Sequence, residues 1–440
     1  MTRDGRCNLF LLLPFLLLSP ASSHAASFYI QEQSVSGLGT AYAGAVADTP
    51  DVSTVYYNPA GMTELALHPQ LYIGVHVISP SAYTRDSGSS VNSGAATGNS
   101  FVSLQGDNGG NPFDPEFIPN LFFAAPLTPD LWAGLAVTAP FGLANEYGKN
   151  FFGRYNSTEN NLKTIDVAPS LAWRATSWLS IGGGIDAQYA DATLKNAIPS
   201  PATAGGPTVA TDGVTHLSGD DFTVGFNAGI LVKPTESTKI GLHYRQGISH
   251  TLKGHVTNTL PSDIPVVGGN VVRVTGQAGL NLPDIVSFGV SQRIDDRWTV
   301  LGSANWYKWS NFEDIPVVTP AGSSSTPQNY RNTLGIAVGT RYRATDSLTL
   351  KAGFQYDPTP TVDNARSTRI PDGDRLWITG GIDYKLTDDI SLDVSGAYID
   401  VSRERINLTE TNSVTNVVTR TRGTTKGSVG ILSAGLSFQF

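Results

Sequence analysis

The stretch Leu348-Thr-Leu-Lys-Ala-Gly-Phe-Gln-Tyr356 alternates without exception. Leu348, Leu350, Ala352, Phe354 and Tyr356 fall on one side of an extended chain, and Thr349, Lys351, Gly353 and Gln355 on the other. One face suits lipid and the other suits water. The pattern returns in Phe222, Val224, Phe226, Ala228 and Ile230 against Thr223, Gly225, Asn227 and Gly229. It also runs through 376–386 and 390–398 and closes the chain as Leu432, Ala434, Leu436, Phe438 and Phe440. A soluble sandwich also alternates, so the connections have to separate the two architectures.

The connections alternate in length. Short polar turns fall at 127–130, 174–177, 233–238, 295–297, 344–346 and 387–389. Long loops rich in Gly, Ser, Pro and Asn occupy roughly 80–119, 143–161, 194–220, 254–270, 311–328, 358–373 and 403–426. Six short and seven long connections join fourteen strands, with tight turns at one rim and large loops at the other, as in outer-membrane barrels. The expected fold is therefore all-β, a 14-stranded antiparallel transmembrane barrel over 71–440, whose first strand is Leu71–Ser79. Splitting 271–294 at Pro283 would give fifteen strands and place the chain ends on opposite sides of the membrane. One long strand with a local break in its ladder at Pro283 is the simpler reading.

Composition agrees. Charged residues are 15%, against the roughly 25% typical of soluble domains, and no run after the N-terminus approaches about eighteen apolar residues. Arg3 and Arg6, the apolar core Leu9–Leu18 and the small residues before Ala26 have the form of a secretory signal over 1–25. Cys7, the sole cysteine, would leave with it. Arg3, Asp4 and Arg6 carry a net +1, so the remainder is one unit more acidic than the whole chain's −8. That charge disfavours nucleic acid as a partner.

Fourteen strands enclose a lumen wider than side chains from the wall alone can fill. The segment 26–70 precedes the first strand and is rich in Gly, Ala and Ser. It also carries Phe28, Tyr29, Val35, Leu38, Tyr42, Val55, Tyr56 and Tyr57, too apolar for a solvated tail. It is expected to be an internal plug, or hatch.

Five stretches resemble the FadL-type outer-membrane transporters of long-chain fatty acids and other hydrophobic compounds. They are SGLGTAYAG (36–44), STVYYNPAG (53–61), LAVTAPFGLANEYG (135–148), LNLPDIVSFGV (280–290) and RSTRIPDGDRLWITGG (366–381), in order along essentially the whole mature chain. The resemblance implies that Asn58, Pro59 and Ala60 are the hatch signature. It also implies an apolar pocket lined near Phe28, and sideways exit where strand 3 kinks at Ala139, Pro140, Phe141 and Gly142. Pro140 removes a ladder donor and Gly142 tolerates unusual dihedrals, so a gap there is physically reasonable. Loops 194–220 and 254–270 would form an outer groove through Leu194, Ile198, Val209, Val214, Leu217, Leu260, Ile264, Val266 and Val267.

A fatty-acid carboxylate calls for a basic partner. Lys195 lies next to the position where family fatty-acid carriers can have a basic residue, and Arg331, Arg366, Arg369 and Arg375 are further candidates. Asn196 stands where an arginine is expected, which leaves neutral hydrocarbons or monoaromatic compounds as alternative substrates. The run Gly182–Ala187 matches a dinucleotide pattern but lies within an alternating strand, not ahead of a helix. No metalloprotease, P-loop or nucleophile-elbow pattern occurs, and the seven histidines are scattered. A passive channel without cofactor is expected, in contact with outer-membrane lipid and lipopolysaccharide and working as a monomer. A general porin, an adhesin-like barrel and a barrel hydrolase are the readings from other classes.

Overall fold

The computed structural model describes residues 27–48, 50–203, 205–264 and 269–440. The proposed signal segment and the groove residues Val266 and Val267 lie outside them. Fourteen antiparallel strands close into a barrel. They are β1 (Gln70–Asp86), β2 (Glu116–Thr128), β3 (Leu131–Thr138, resuming as Gly142–Glu146), β4 (Glu159–Arg174), β5 (Leu179–Ile198), β6 (Gly213–Thr235) and β7 (Thr238–Arg245 and Ser249–Thr259). They continue as β8 (Val271–Asn281 and Ile285–Arg293), β9 (Trp298–Tyr307), β10 (Thr333–Arg343), β11 (Leu348–Asp357), β12 (Arg375–Lys385), β13 (Ile390–Thr411) and β14 (Val418–Gln439). Closure is made by β1 on β14, from Gln70↔Gln439 to Asp86↔Gly423. Two small hairpins, at 90–103 and 314–327, stand in the long loops.

Alternation decides which way each side chain points. On β11, Leu350 and Phe354 are exposed on the outer face, whereas Lys351 and Gln355 are buried inside. Ile165, Leu171, Phe222, Val224, Ile336, Ile378 and Leu432 extend the outward apolar band around the wall. The six short turns share one device: a Thr or Asp side chain accepts from backbone N–H groups two or three residues on. Thr128 takes Asp130 and Leu131, Thr176 takes Trp178 and Leu179, and Asp295 takes Arg297 and Trp298. Thr235, Thr345 and Thr387 repeat it.

At the long-loop rim the sheet reaches farther than expected. β1 continues through Pro80 to Asp86, β13 runs to Thr411 and β14 starts at Val418. The loops expected at 194–220 and 403–426 are correspondingly shorter, so Leu194, Ile198, Val214 and Leu217 are strand residues. Outside the bilayer neither face must be apolar, so the extensions carry no lipid-facing alternation. Pro80 is tolerated because β2 pairs with β1 only as far as Ile78, which leaves Pro80 with no ladder bond to make on that side.

Pro283 falls in the interruption of β8, between Asn281 and Ile285. β7 breaks beside it, between Arg245 and Ser249, while β7 and β8 keep one register across the break, as Arg245↔Ile285 and Ser249↔Asn281 show. Asp284 bridges the gap by accepting from Tyr244 Oη (2.7 Å) and Gly247 N–H (3.0 Å).

Residues 27–48 and 50–69 pack against the inward faces of these strands. Ser34 caps a short helix, α1 (Val35–Leu38), by accepting from Gly37 N–H; α2 spans Thr54–Tyr57. Asn58 caps a 3₁₀ turn, Pro59–Glu64, by accepting from Ala60 N–H, and its amide donates to Val46 O (2.7 Å) and, on β6, Ile230 O (3.0 Å). Ionic contacts add to this. Asp48 pairs with Lys239 (2.8 Å) and with Arg341, and Lys351 reaches both Asp393 (2.8 Å) and Ser36 (3.1 Å). Burial pushes the Asp48 carboxyl up, but Arg341 and Lys239 outweigh it and hold the group well below the usual carboxylate range.

Glycines on the inner wall permit this approach. A Cβ on Gly241 would stand 1.9 Å from Val46 O, and one on Gly182 would stand 2.5 Å from Ala60 N. Gly430, by contrast, faces open space. Gly241→Val is therefore expected to displace the N-terminal segment and raise single-channel conductance severalfold in planar bilayers, while Gly430→Ala leaves it at the wild-type level. Equal conductance in both variants would contradict this packing.

Candidate functional site

A cavity of about 580 Å³ lies where the wall is incomplete. β2 pairs with β3 only from Leu121↔Val137 inward, so Glu116–Asn120 have no β3 partner. β3 leaves its ladder at Ala139 and rejoins β4 at Gly142↔Lys163, with three residues of β3 set against two of β4 between those points. That is a bulge with a proline in it. The opening is bounded by Phe117 on the β2 side and by Ala139, Phe141 and Gly142 on the other.

In lipid an unpaired backbone group is costly, so each polar group of the break needs a partner. The Gln33 amide supplies two: it donates to Ala139 O (2.9 Å) and accepts from Ala139 N–H (3.1 Å). Ile30 N–H donates to Pro140 O (2.8 Å), and Gly142 N–H donates to Phe28 O (3.0 Å). Thr164 Oγ1 accepts from Phe141 N–H (2.9 Å) and donates to Phe141 O (2.8 Å). The N-terminal segment thus serves as a short replacement strand, with Tyr29 bridged to Phe141.

Phe28, 4% exposed, is the centre of an aromatic cluster. Its ring lies 5.0 Å from Trp309, 5.3 Å from Phe312 and 6.1 Å from Phe141, in tilted or edge-on arrangements. Leu252, Val256, Leu280 and Leu217 of the β6–β8 region belong to the same apolar cluster, with Leu194, Val274, Ile315 and Val317 packed against it. An apolar lane therefore connects the hairpin at 314–327 with the cavity.

The sequence candidates divide into two groups. Phe28, Phe141, Gly142 and Arg375 line the cavity, and Pro140 is held at its edge through Ile30. Asn58, Pro59 and Ala60 lie elsewhere, against β5 and β6. Lys195 is paired with Glu159 (2.5 Å), and the Asn196 side chain donates to Ala197 O. Arg369 donates to Asn160 Oδ1 and Asn156 O; Arg366 is held by Asp363, Glu404 and Arg405 O. Arg331 N–H donates to Pro360 O in the outer loops, away from the cavity lining. Arg375 pairs with Asp372 (2.9 Å) and donates to Ser27 O.

The structure adds residues that the sequence reading left out. Glu32 and Lys163 line the cavity, as does Thr138, whose buried hydroxyl has no hydrogen-bond partner among the described residues. Trp309 and Gln33 complete the cluster and the break. Gln33 stands in the polar run Gln31-Glu32-Gln33, and nothing in that run singles it out as the group that meets the break. Lys163 sat at an outward position of β4, where a lysine reads as a surface residue. No group of three or more His, Cys, Asp or Glu side chains that could hold a metal ion occurs among the described residues.

Residues 16–440 match the family model described as outer membrane protein transport protein (OMPP1/FadL/TodX). A long-chain fatty acid transport protein of Escherichia coli is 29% identical over 400 residues, covering 85% of this chain and 87% of that one. Outer membrane protein P1 of Haemophilus influenzae is 28% identical over 421 residues, covering 89% and 90%. Among solved structures, a Pseudomonas aeruginosa FadL homologue superposes with a TM-score of 0.82 at 25% identity, covering 94% of this chain and all of that one. The P. putida toluene transporter TodX superposes at 0.64 with 20% identity, covering 89% and 95%, a likeness of fold. Barrel, wall break and full-length match lead to one conclusion: the chain belongs to the FadL family of outer-membrane transport proteins for hydrophobic compounds.

Proposed function

We propose that this protein is a passive channel for long-chain fatty acids, in which residues 27–69 act as a plug and the substrate leaves sideways between β2 and β3. The observation that carries the reading is the apolar cavity at the wall break. Its volume of about 580 Å³ sits within the roughly 300–1,000 Å³ typical of small-molecule sites. A polar solute would gain nothing from this lining. A hydrophobic one exchanges water for aromatic and aliphatic contacts, then passes into the bilayer without returning to water. The likeness, over 85% of this chain, to a long-chain fatty acid transport protein of Escherichia coli supports the substrate class. The barrel closes its own edges, so it works as a monomer within outer-membrane lipid and lipopolysaccharide.

A second reading, uptake of neutral monoaromatic hydrocarbons, draws on the pairing of Lys195, Arg366 and Arg375 with carboxylates. Liposomes containing the refolded protein separate the two by their preference for oleate or toluene.

Two outcomes are expected of the lateral route. A side chain at Gly142 would point at Ile30 Cδ1, 2.8 Å from a new Cβ. Gly142→Val is expected to cut oleate uptake by about tenfold or more while the barrel keeps its folded mobility in unheated gels. Undiminished uptake would contradict exit through this break. The second concerns Glu32. Burial raises its carboxyl to about 7, against the lowering effects of backbone N–H groups and Arg375. The folded value exceeds the ordinary ~4.3, so docking of the segment is strongest below that value and weakens as pH rises through about 7. Amide exchange at Phe28–Gln33 is expected to be slower at about pH 5 than at about pH 8 once corrected for intrinsic rate. Glu32→Gln should remove the difference, and a difference that persists in that variant would assign it to another group.

A further inference from the structure

The charged groups around the cavity are unevenly arranged. On the side of the N-terminal segment stand Glu32, itself more than nine-tenths buried, and Arg375, whose charge is already met by Asp372 and Ser27 O. At the wall break stands Lys163. It is register-paired with Gly142, the residue at which β3 resumes, and it lies on the outward, exposed side of β4. Among the described residues its ammonium makes no ion pair or hydrogen bond. Glu116 also lines the opening, but no ion pair joins it to Lys163. Next along the same face are Ile165, Val167 and Leu171, all exposed and apolar. Lys163 thus sits above the lipid-facing band and beside the opening.

We infer that Lys163 is a specificity-determining residue that takes the carboxylate of an amphiphilic acid at the lateral mouth. The inference rests on the lateral-channel reading above and narrows its substrate class. An alkyl carboxylate lying in the cavity with its tail toward Phe28 and Trp309 places its charge at Lys163, the one cation of the lining unpaired among the described residues, away from Glu32. The reverse orientation would bury a carboxylate beside Glu32 with the nearby arginine already engaged, which desolvation and like charge both oppose. The lysine's long apolar stem lets its head swing across the break while the stem stays on the wall. A neutral hydrocarbon has no use for this residue, so Lys163 separates acids from neutral compounds of equal length.

The same ammonium could meet a lipid phosphate, so the test uses zwitterionic phosphatidylcholine vesicles free of lipopolysaccharide. Uptake of oleate and of its methyl ester is measured for wild type, Lys163→Met and Lys163→Arg. An exposed ion pair supports only a modest effect, so Lys163→Met is expected to lower the oleate-to-ester ratio about two- to fivefold, with Lys163→Arg restoring most of it. Glu32→Gln is expected to raise the ratio. An unchanged ratio in Lys163→Met, with both compounds still taken up, would overturn the role of Lys163 and leave the channel intact. Failure of wild type to take up either compound would overturn the channel reading, and this inference with it.

Discussion

The close approach of the N-terminal segment to the barrel wall is the constraint on which the rest of the structure depends. Backbone meets backbone where Gly182 faces Ala60, Gly241 faces Val46 and Gly353 faces Thr40. A side chain at any of these points would stand within van der Waals distance of the segment, so the wall is built of glycine there. In most strands glycine weakens packing, but here it makes room for the N-terminal segment. The buried ionic contacts follow from the same approach. Lys351 and Asp393 are inward residues of β11 and β13, and they need each other and Ser36 because water has been excluded from around them.

The break in β3 is a second use of the segment. A membrane wall cannot leave donors and acceptors open to lipid, and Ala139–Phe141 leave none: Gln33, Ile30 and Thr164 meet them all. Pro140 matters because it has no N–H to satisfy. On the β3 side the break is therefore formed without the penalty that an interrupted ladder would otherwise carry. This links the N-terminal segment to the residues that shape the opening.

The barrel was legible because lipid outside and polar groups inside impose a period of two, and because turn length alternates between the rims. Strand ends were less legible. β13 and β14 continue beyond the bilayer rich in Thr, Arg, Glu and Asn, a composition that looks like loop. The break of β8 followed from Pro283, but the break of β7 beside it did not, since Gln246–Ile248 contain no proline and the cause is the neighbouring strand. At the site, Phe28 and Gly142 could be placed through the family resemblance. Lys195 and Arg369 could not be judged, because their partners Glu159 and Asn160 approach only once β4 and β5 pair and the outer loops fold over. Lys163 was hidden by an ordinary position in an ordinary strand.

The central claim is that substrate leaves through the wall while the N-terminal segment stays in place. A new Cβ at Gly289 would lie 3.6 Å from Ala47 Cβ, a separation that fits a disulfide. Ala47→Cys with Gly289→Cys, in a chain whose sole native cysteine is Cys7, ties the segment to β8. Oleate uptake into liposomes should be the same with the bond formed and with it reduced. Uptake that stops on oxidation and returns with dithiothreitol would place the route through the lumen and contradict lateral exit.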